Sequence, residues 1–372
     1  RCLALGSGQA HYRGMSKSPP TPAVLQDAAE ITPDWLTSAL RSGGLDVTVS
    51  SCRSEPVGTG QMAHNERIFI EYEGDCKGAP ATLVAKLPSP NEESRNAGAS
   101  GGYRAETRFY LELAERSSCV TPSCHYGAIS DDQALFTLLL EDLAPKQQGD
   151  QILGASDAEI EAAVRNLAGL HAPMRGDSSL EKLDWLLGAI GDQFPVYIEM
   201  GTPVFLERYR DRLSQDDAET LSSFAANVKN WVERRPTPRT LVHGDYRLDN
   251  LMFEETPSGV AVATVDWQTL SLACGGQDLA YLLGNSSPPE QRRAHEDQML
   301  SAYREAMAQQ GVELSEQEVR DEYVYGVFQG PSITMLGALS VGQTDRGDEM
   351  FMAMAERCCA QIRDLDALSR IS

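Results

Sequence analysis

Residues 240–255, TLVHGDYRLDNLMFEE, are followed at 265–269 by VDWQT. TLVHGD and NLMFEE are short strand-like pieces, TPSG is a turn and GVAVATVDW is a further strand. These brief apolar runs bracket a polar interval that holds a His, a Gly, two Asp and an Asn, and a third acid, Asp266, ends the last run. Helical patterns lie on both sides. So small a strand unit has no core of its own. It must be set into a helical body, with its acids gathered in one loop.

Upstream of this unit the patterning is of a different kind. ITPDWLTSALRSGG places Trp35, Leu36 and Leu40 on one helical face and ends at Gly43–Gly44. DVTVSSCRSEPV, ERIFIEYEG and ATLVAKLP are strand-like, the first two flank VGTGQMAHN, and together they predict an antiparallel sheet with a glycine-containing turn. NEESRNAGASGG, residues 91–102, reads as a loop leading into the helix YRAETRFYLELAER, where Ala105, Phe109 and Leu113 share a side. ALFTLLLEDL is a buried strand, and the strand-rich half ends near residue 143. Beyond it, SDAEIEAAVRNLAGLHA opens with a capping box of Ser156 and Glu159 and aligns Ile160, Val164, Leu167 and His171. DAETLSSFAANVKNWVERR aligns Leu221, Phe224, Val228, Trp231 and Val232 before Pro236 stops it. At 372 residues the chain exceeds one core. The reading is α+β in two lobes, 24–143 and 144–372, with residues 1–23 as a tail and Met15 as a candidate start.

The formal net charge of −22 argues against nucleic acid and anionic membrane surfaces, which are bound through clustered Lys and Arg. Eight cysteines form no C-x-x-C pair, and a chain of this length does not depend on disulfides, so they read as reduced thiols. The opening residues lack the apolar core of a secretory signal, and no apolar run is long enough to span a bilayer. A cytoplasmic protein without a membrane span is expected. Its oligomeric state stays open.

Phosphoryl transfer needs divalent cations and a lysine around the phosphate oxygens, with a carboxylate beside the attacking hydroxyl. Mg²⁺ keeps several waters, so one or two carboxylates and an amide oxygen suffice to hold it. H-G-D-x-x-x-x-N carries this inventory: Asp245 and Asn250 are five residues apart, and Asp266 at a strand end can face the same cleft. Each alone is equally a turn residue or a cap. Together, in this order and between strands, they favour chemistry. His243 has no second His near it in sequence for a zinc site. Gly58 and Gly60 permit close backbone approach, but the full G-x-G-x-x-G is missing.

HGDYRLDN followed by VDW resembles the catalytic loop and metal-binding strand of the phosphotransferase family that includes aminoglycoside and macrolide kinases and choline kinase. It is most similar to the ecdysteroid-kinase-like (CHK kinase-like) branch, over about residues 55–285. The resemblance implies a two-lobed protein-kinase-like fold: an N-terminal lobe of antiparallel sheet with one helix, and a mainly helical C-terminal lobe. It also implies ATP, or GTP, and Mg²⁺ as cofactors. Carried over residue by residue, it makes Asp245 the catalytic base and Asn250 and Asp266 the metal ligands. Lys86 becomes the strand lysine on the nucleotide phosphates, and Glu106 the helix glutamate paired with it. Gly58 and Gly60 fall in the phosphate-covering loop, and Glu141 in the lobe-joining segment LLLEDL, whose backbone would meet a purine edge. His243 and Asp249 would brace the loop and Asp278 would order it, an N-terminal helix cap being the other reading of Asp278.

The function expected is ATP-dependent transfer of a phosphoryl group to a hydroxyl of a small molecule: an aminoglycoside or macrolide, a choline-like compound, a steroid or a hydroxyacyl compound. Two alternatives stand beside it. A catalytically silent nucleotide-binding module, a pseudokinase, is disfavoured because the lysine, glutamate, base and both metal ligands are all present. A metal-dependent phosphohydrolase using His243, Asp245 and Asp266 leaves Lys86 and Glu106 without a task. H-R-D, D-F-G and A-P-E are missing, which separates the chain from protein kinases.

Overall fold

The computed structural model describes residues 22–58, 62–74, 76, 78–186 and 193–372. Helix α1, Pro33–Ser42, starts where the Thr32 hydroxyl accepts the Trp35 N–H, with Pro33 in its first turn. Strands β1, Val49–Pro56, β2, Ala63–Tyr72, and β3, Thr82–Pro88, follow as the alternation predicts.

The next stretch differs from its reading as a loop. The Asn91 side chain accepts the Ser94 N–H and caps a short helix α2, Glu92–Ala97, whose first turn carries two glutamates. That cap and the acids facing the helix N-terminus outweigh the small residues behind them. The chain turns at Gly101, φ 146°, and enters α3, Tyr103–Arg108, which runs on through a wide turn, Phe109–Leu113. Strand β4, Cys124–Ile129, had no counterpart in the sequence reading, because CHYGAI lacks a β-branched run. Strand β5 is Phe136–Glu141. The five strands form an antiparallel sheet in the order β1-β2-β3-β5-β4.

Period-two alternation sorts the side chains of this sheet. Leu83, Ala85 and Leu87 of β3 and Leu139 of β5 pack with Leu36 and Leu40 of α1. Leu138 and Leu140 turn to the opposite face, toward Tyr103 and Phe109. Lys86 lies between Ala85 and Leu87, so its side chain falls on the α3 face. The Trp35 ring N–H donates to Ala23 O and the Tyr126 hydroxyl to Pro22 O, so these two residues, counted above with the tail, lie against the sheet.

The remaining elements are β6, Gln147–Gln148; α4, Asp157–Met174; α5, Phe194–Arg208; α6, Gln215–Glu233; β7, Thr240–Val242; β8, Leu251–Thr256; β9, Gly259–Thr264; β10, Ser271–Ala273; α7, Gly276–Asn285; α8, Pro289–Gln309; α9, Glu316–Gly326; α10, Gln329–Ser340; and α11, Asp345–Asp364. The α4 capping box forms, and Ile160, Val164, Leu167 and His171 are all buried. Along α6, Leu221, Phe224, Val228 and Trp231 are buried and Val232 is half-buried. The strands of this region pair as β6-β8-β9 and β10-β7, both antiparallel, and hold the 243–250 loop between them. Phe109 below α3 stacks on Trp267 beyond β9, with ring centroids 3.8 Å apart. A stack of this kind contributes about 1 kcal/mol beyond area burial and ties the sheet half to the helical half. Among the described residues no helix is long and apolar enough to cross a membrane.

Candidate active site

The phase of β3 sends Lys86 toward α3, and its ammonium meets both Glu106 oxygens, at 2.8 and 2.7 Å. It also donates to Asp266 Oδ1 at 2.8 Å. The Lys86 side chain is 9% exposed and that of Glu106 1%, whereas that of Asp266 is 39% exposed, so Asp266 is the carboxylate open to solvent. Burial works against the Lys86 charge, yet Asp266 and Glu106 together raise it above the ordinary lysine value. Burial raises Glu106 against the pull of Lys86. Asp266 is opposed by burial too, but Lys86 holds it below the usual aspartate value. The Trp267 N–H and Gln268 Nε2 also donate to Glu106, both at 3.3 Å.

Asp266 sits two residues past β9 in the left-handed region, φ 67°. A non-glycine residue there costs free energy, and the loop backbone holds it in place. The Val265 N–H donates to Asn250 O at 3.0 Å, and His243 Nε2 donates to Val265 O at 3.0 Å. His243 Nδ1 accepts the Asp245 N–H at 3.2 Å. Both ring nitrogens are therefore used within the loop, as the neutral Nε2–H tautomer requires.

Asp278, three residues into α7, makes no cap to its own helix. Its carboxylate accepts the His243 N–H at 2.6 Å and the Gly244 N–H at 2.9 Å. Gly244 has φ 83°, and a Cβ there would lie 2.4 Å from Thr269 O, so this turn admits no side chain. Asn250 donates its amide to Asp245 O and to Asp245 Oδ2, both at 2.9 Å. With the amide N–H groups used there, its oxygen is turned away from Asp245. Asp249 accepts the Gln151 N–H and an Arg247 N–H, which fixes the loop to the chain after β6.

Lys86, Glu106 and Asp266 thus form one cluster. His243, Asp245, Asp249, Asn250 and Asp278 form a second, joined to the first through Val265. Gly58, φ 76°, lies one residue beyond Val57, whose N–H donates to Asn65 O, and Asn65 stands opposite Lys86 in the β2–β3 register. Gly60 lies outside the described residues. Glu141 is not drawn in: its N–H donates to Ser123 O and its carboxylate accepts from Ser123. Three residues absent from the sequence reading do belong here. Arg247 Nε contacts both Asp245 oxygens, the Tyr281 hydroxyl donates to Asp245 Oδ1 at 2.9 Å, and Gln329 Nε2 donates to Gly244 O at 2.7 Å. A signal existed for two of them. Arg247 is two residues past Asp245, and Tyr281 lies on the same helix face as Asp278.

The profile of the phosphotransferase enzyme family matches residues 61–310, more than half of the chain. The chain belongs to the phosphotransferase enzyme family. This makes it an enzyme of the small-molecule kinase class, in agreement with the resemblance of HGDYRLDN and VDW. Among solved structures, it is similar to choline kinase from Cryptosporidium parvum Iowa II, at TM-score 0.56 and 9% identity, covering 85% of this chain and 91% of that one. A Plasmodium vivax ethanolamine kinase gives TM-score 0.48 and 12% identity, covering 84% and 83%. The GDP complex of aminoglycoside 2′-phosphotransferase-IIIa gives 0.49 and 14%, covering 88% and 98%. At such identity the choline kinase speaks to the fold alone. No curated protein matches the sequence. The phosphotransferase fold is α+β, with an antiparallel N-terminal sheet and a helical C-terminal region.

Proposed function

We propose that this phosphotransferase moves the γ-phosphoryl group of ATP to a hydroxyl of a small molecule, with Asp245 accepting the proton. The observation that carries this reading is that Lys86, ion-paired to Glu106 and Asp266, is joined through Val265 to the loop that bears Asp245 and Asn250. Lys86, fixed between Glu106 and Asp266, would hold the nucleotide phosphates by charge. The acceptor oxygen attacks the γ-phosphorus in line, the bond from that phosphorus to the β–γ bridging oxygen breaks, ADP leaves, and the hydroxyl proton passes to an Asp245 oxygen.

The donor set suits a hard cation. Asn250 offers an amide oxygen, and Asp266 offers the carboxylate oxygen that Lys86 does not use, the oxygen-only chemistry preferred by Mg²⁺. Bound there, Mg²⁺ would neutralise charge on the transferring phosphate. Gly58 favours a phosphate-covering role for its turn. Because the Glu141 N–H is already engaged, a purine edge would meet the backbone after it. His243, with both nitrogens engaged, is better suited to bracing the loop than to binding metal, which weighs against a phosphohydrolase. HGDYRLDN supports the ecdysteroid-kinase-like branch. Seven free thiols among the described residues support a reducing, cytoplasmic setting.

The test is a screen of MgATP consumption against hydroxylated metabolites, with Asp245→Asn as the blank. Loss of transfer with MgATP binding retained is expected; an Asp245→Asn protein that transfers at the wild-type rate removes Asp245 from this role.

A further inference from the structure

Helix α7 grips three successive loop residues. Asp278 receives the N–H groups of His243 and Gly244, and three residues further on the Tyr281 hydroxyl reaches the side chain of Asp245. Positions three apart on a helix share a face, so one face of α7 is spent on holding this loop. Tyr281 is fully buried, and a buried hydroxyl has to find a partner. On the same carboxylate, Arg247 Nε lies 3.1 Å from Oδ1 and 3.2 Å from Oδ2. Its Nη1 donates to Asp249 Oδ2 at 2.7 Å, and Asp249 Oδ1 accepts the Gln151 N–H at 3.1 Å. The Arg247 fork is thus anchored to the chain following β6. Asn250 supplies the remaining contact, on Oδ2.

We propose that Tyr281 and Arg247 form a clamp on both oxygens of the Asp245 carboxylate that aims it at the acceptor hydroxyl, which makes both of them positioning residues of the transfer step. The inference rests on the reading of Asp245 as the group that takes the proton. Rotation about the last side-chain torsion of an aspartate is soft. Donors on both oxygens remove that freedom, and a near-attack geometry depends on a fixed carboxylate. The clamp acts in the transfer step and not on nucleotide binding, because neither residue hydrogen-bonds Lys86, Glu106 or Asp266.

Steady-state turnover of MgATP is measured as ADP release, with water as acceptor and with any alcohol returned by the screen above. Tyr281→Phe removes one hydrogen bond to a charged group, so kcat should fall about 10- to 100-fold. KM for MgATP should hold within about twofold, since the interaction matters only in the transfer step. Arg247→Lys, on the wetter side, is the second arm: one ammonium cannot span Asp245 and Asp249, and kcat should fall with KM for MgATP again held. Placed on Asp245→Asn, Tyr281→Phe should add no further loss, because residues that act as a unit are not additive. Wild-type kcat in either single variant overturns the clamp. So does an undiminished Tyr281→Phe effect on the Asp245→Asn background, which would mean that the tyrosine works through packing. If Asp245→Asn itself turns over at the wild-type rate, the base reading falls instead, and the two failures are told apart.

Discussion

Replacing Glu106 by Gln keeps the shape of a fully buried side chain and removes its charge. Every group around it is a donor: Lys86 Nζ at 2.8 Å, and the Trp267 N–H and Gln268 Nε2 at 3.3 Å. An amide has one oxygen, so its NH₂ must face a donor unless a neighbour turns. Gln268 can turn, because its own Oε1 is buried without a partner among the described residues. Lys86 also keeps Asp266. The expected cost of Glu106→Gln is therefore about 2–3 kcal/mol, below the roughly 3–5 kcal/mol of a buried pair broken outright. Glu106→Ala leaves the Trp267 and Gln268 donors facing nothing and Lys86 with Asp266 alone, and should reach that upper range. The assay is urea unfolding of both variants beside the wild type, with MgATP affinity measured on each. Affinity should weaken, since Lys86 is freed to follow Asp266. If Glu106→Gln matches the wild type in stability and in MgATP affinity, the reasoning fails: Glu106 would then be neutral in the folded protein, as its burial alone would favour, and would not orient the lysine.

Gly244→Ala forces a left-handed non-glycine residue and a Cβ 2.4 Å from Thr269 O. The backbone term alone costs about 1–2 kcal/mol, and the clash adds to it, so both the unfolding midpoint and kcat should drop. Unchanged values would mean that the loop relaxes freely. For Cys119 and Cys124, burial pushes the thiol up to about 12 in each case. A raised thiol value means that thiolate appears only as the pH approaches that range, so neither should be alkylated by iodoacetamide in the native protein between about pH 7 and 9. Peptide mass spectrometry reads this directly, and labelling of Cys119 before the half-buried Cys76 would contradict it.

Lys86 was legible through the family resemblance and its place ahead of a helix bearing Glu106, and Asp245, Asn250 and Asp266 because their order and spacing lie within one short strand unit. Residues 91–102 were misread because small residues signal a loop, although the Asn91 cap and two glutamates start a helix there. Glu141 stood in a segment whose apolar run gives no hint that its N–H and carboxylate would both be taken by Ser123, eighteen residues earlier. Local order and side-chain chemistry are written in the chain, so the sequence by itself determined the inventory of the site: Lys86, Glu106, the loop carboxylate Asp245 between strands, and two further oxygen donors, Asn250 and Asp266. Which donors meet the Asp245 carboxylate was decided by tertiary structure. Tyr281 lies thirty-six residues away and reaches it only because α7 packs against the 243–245 turn through Asp278. Hydrogen bonds of a few ångströms depend on how helices dock, and docking follows from burial spread over the whole core rather than from any one stretch.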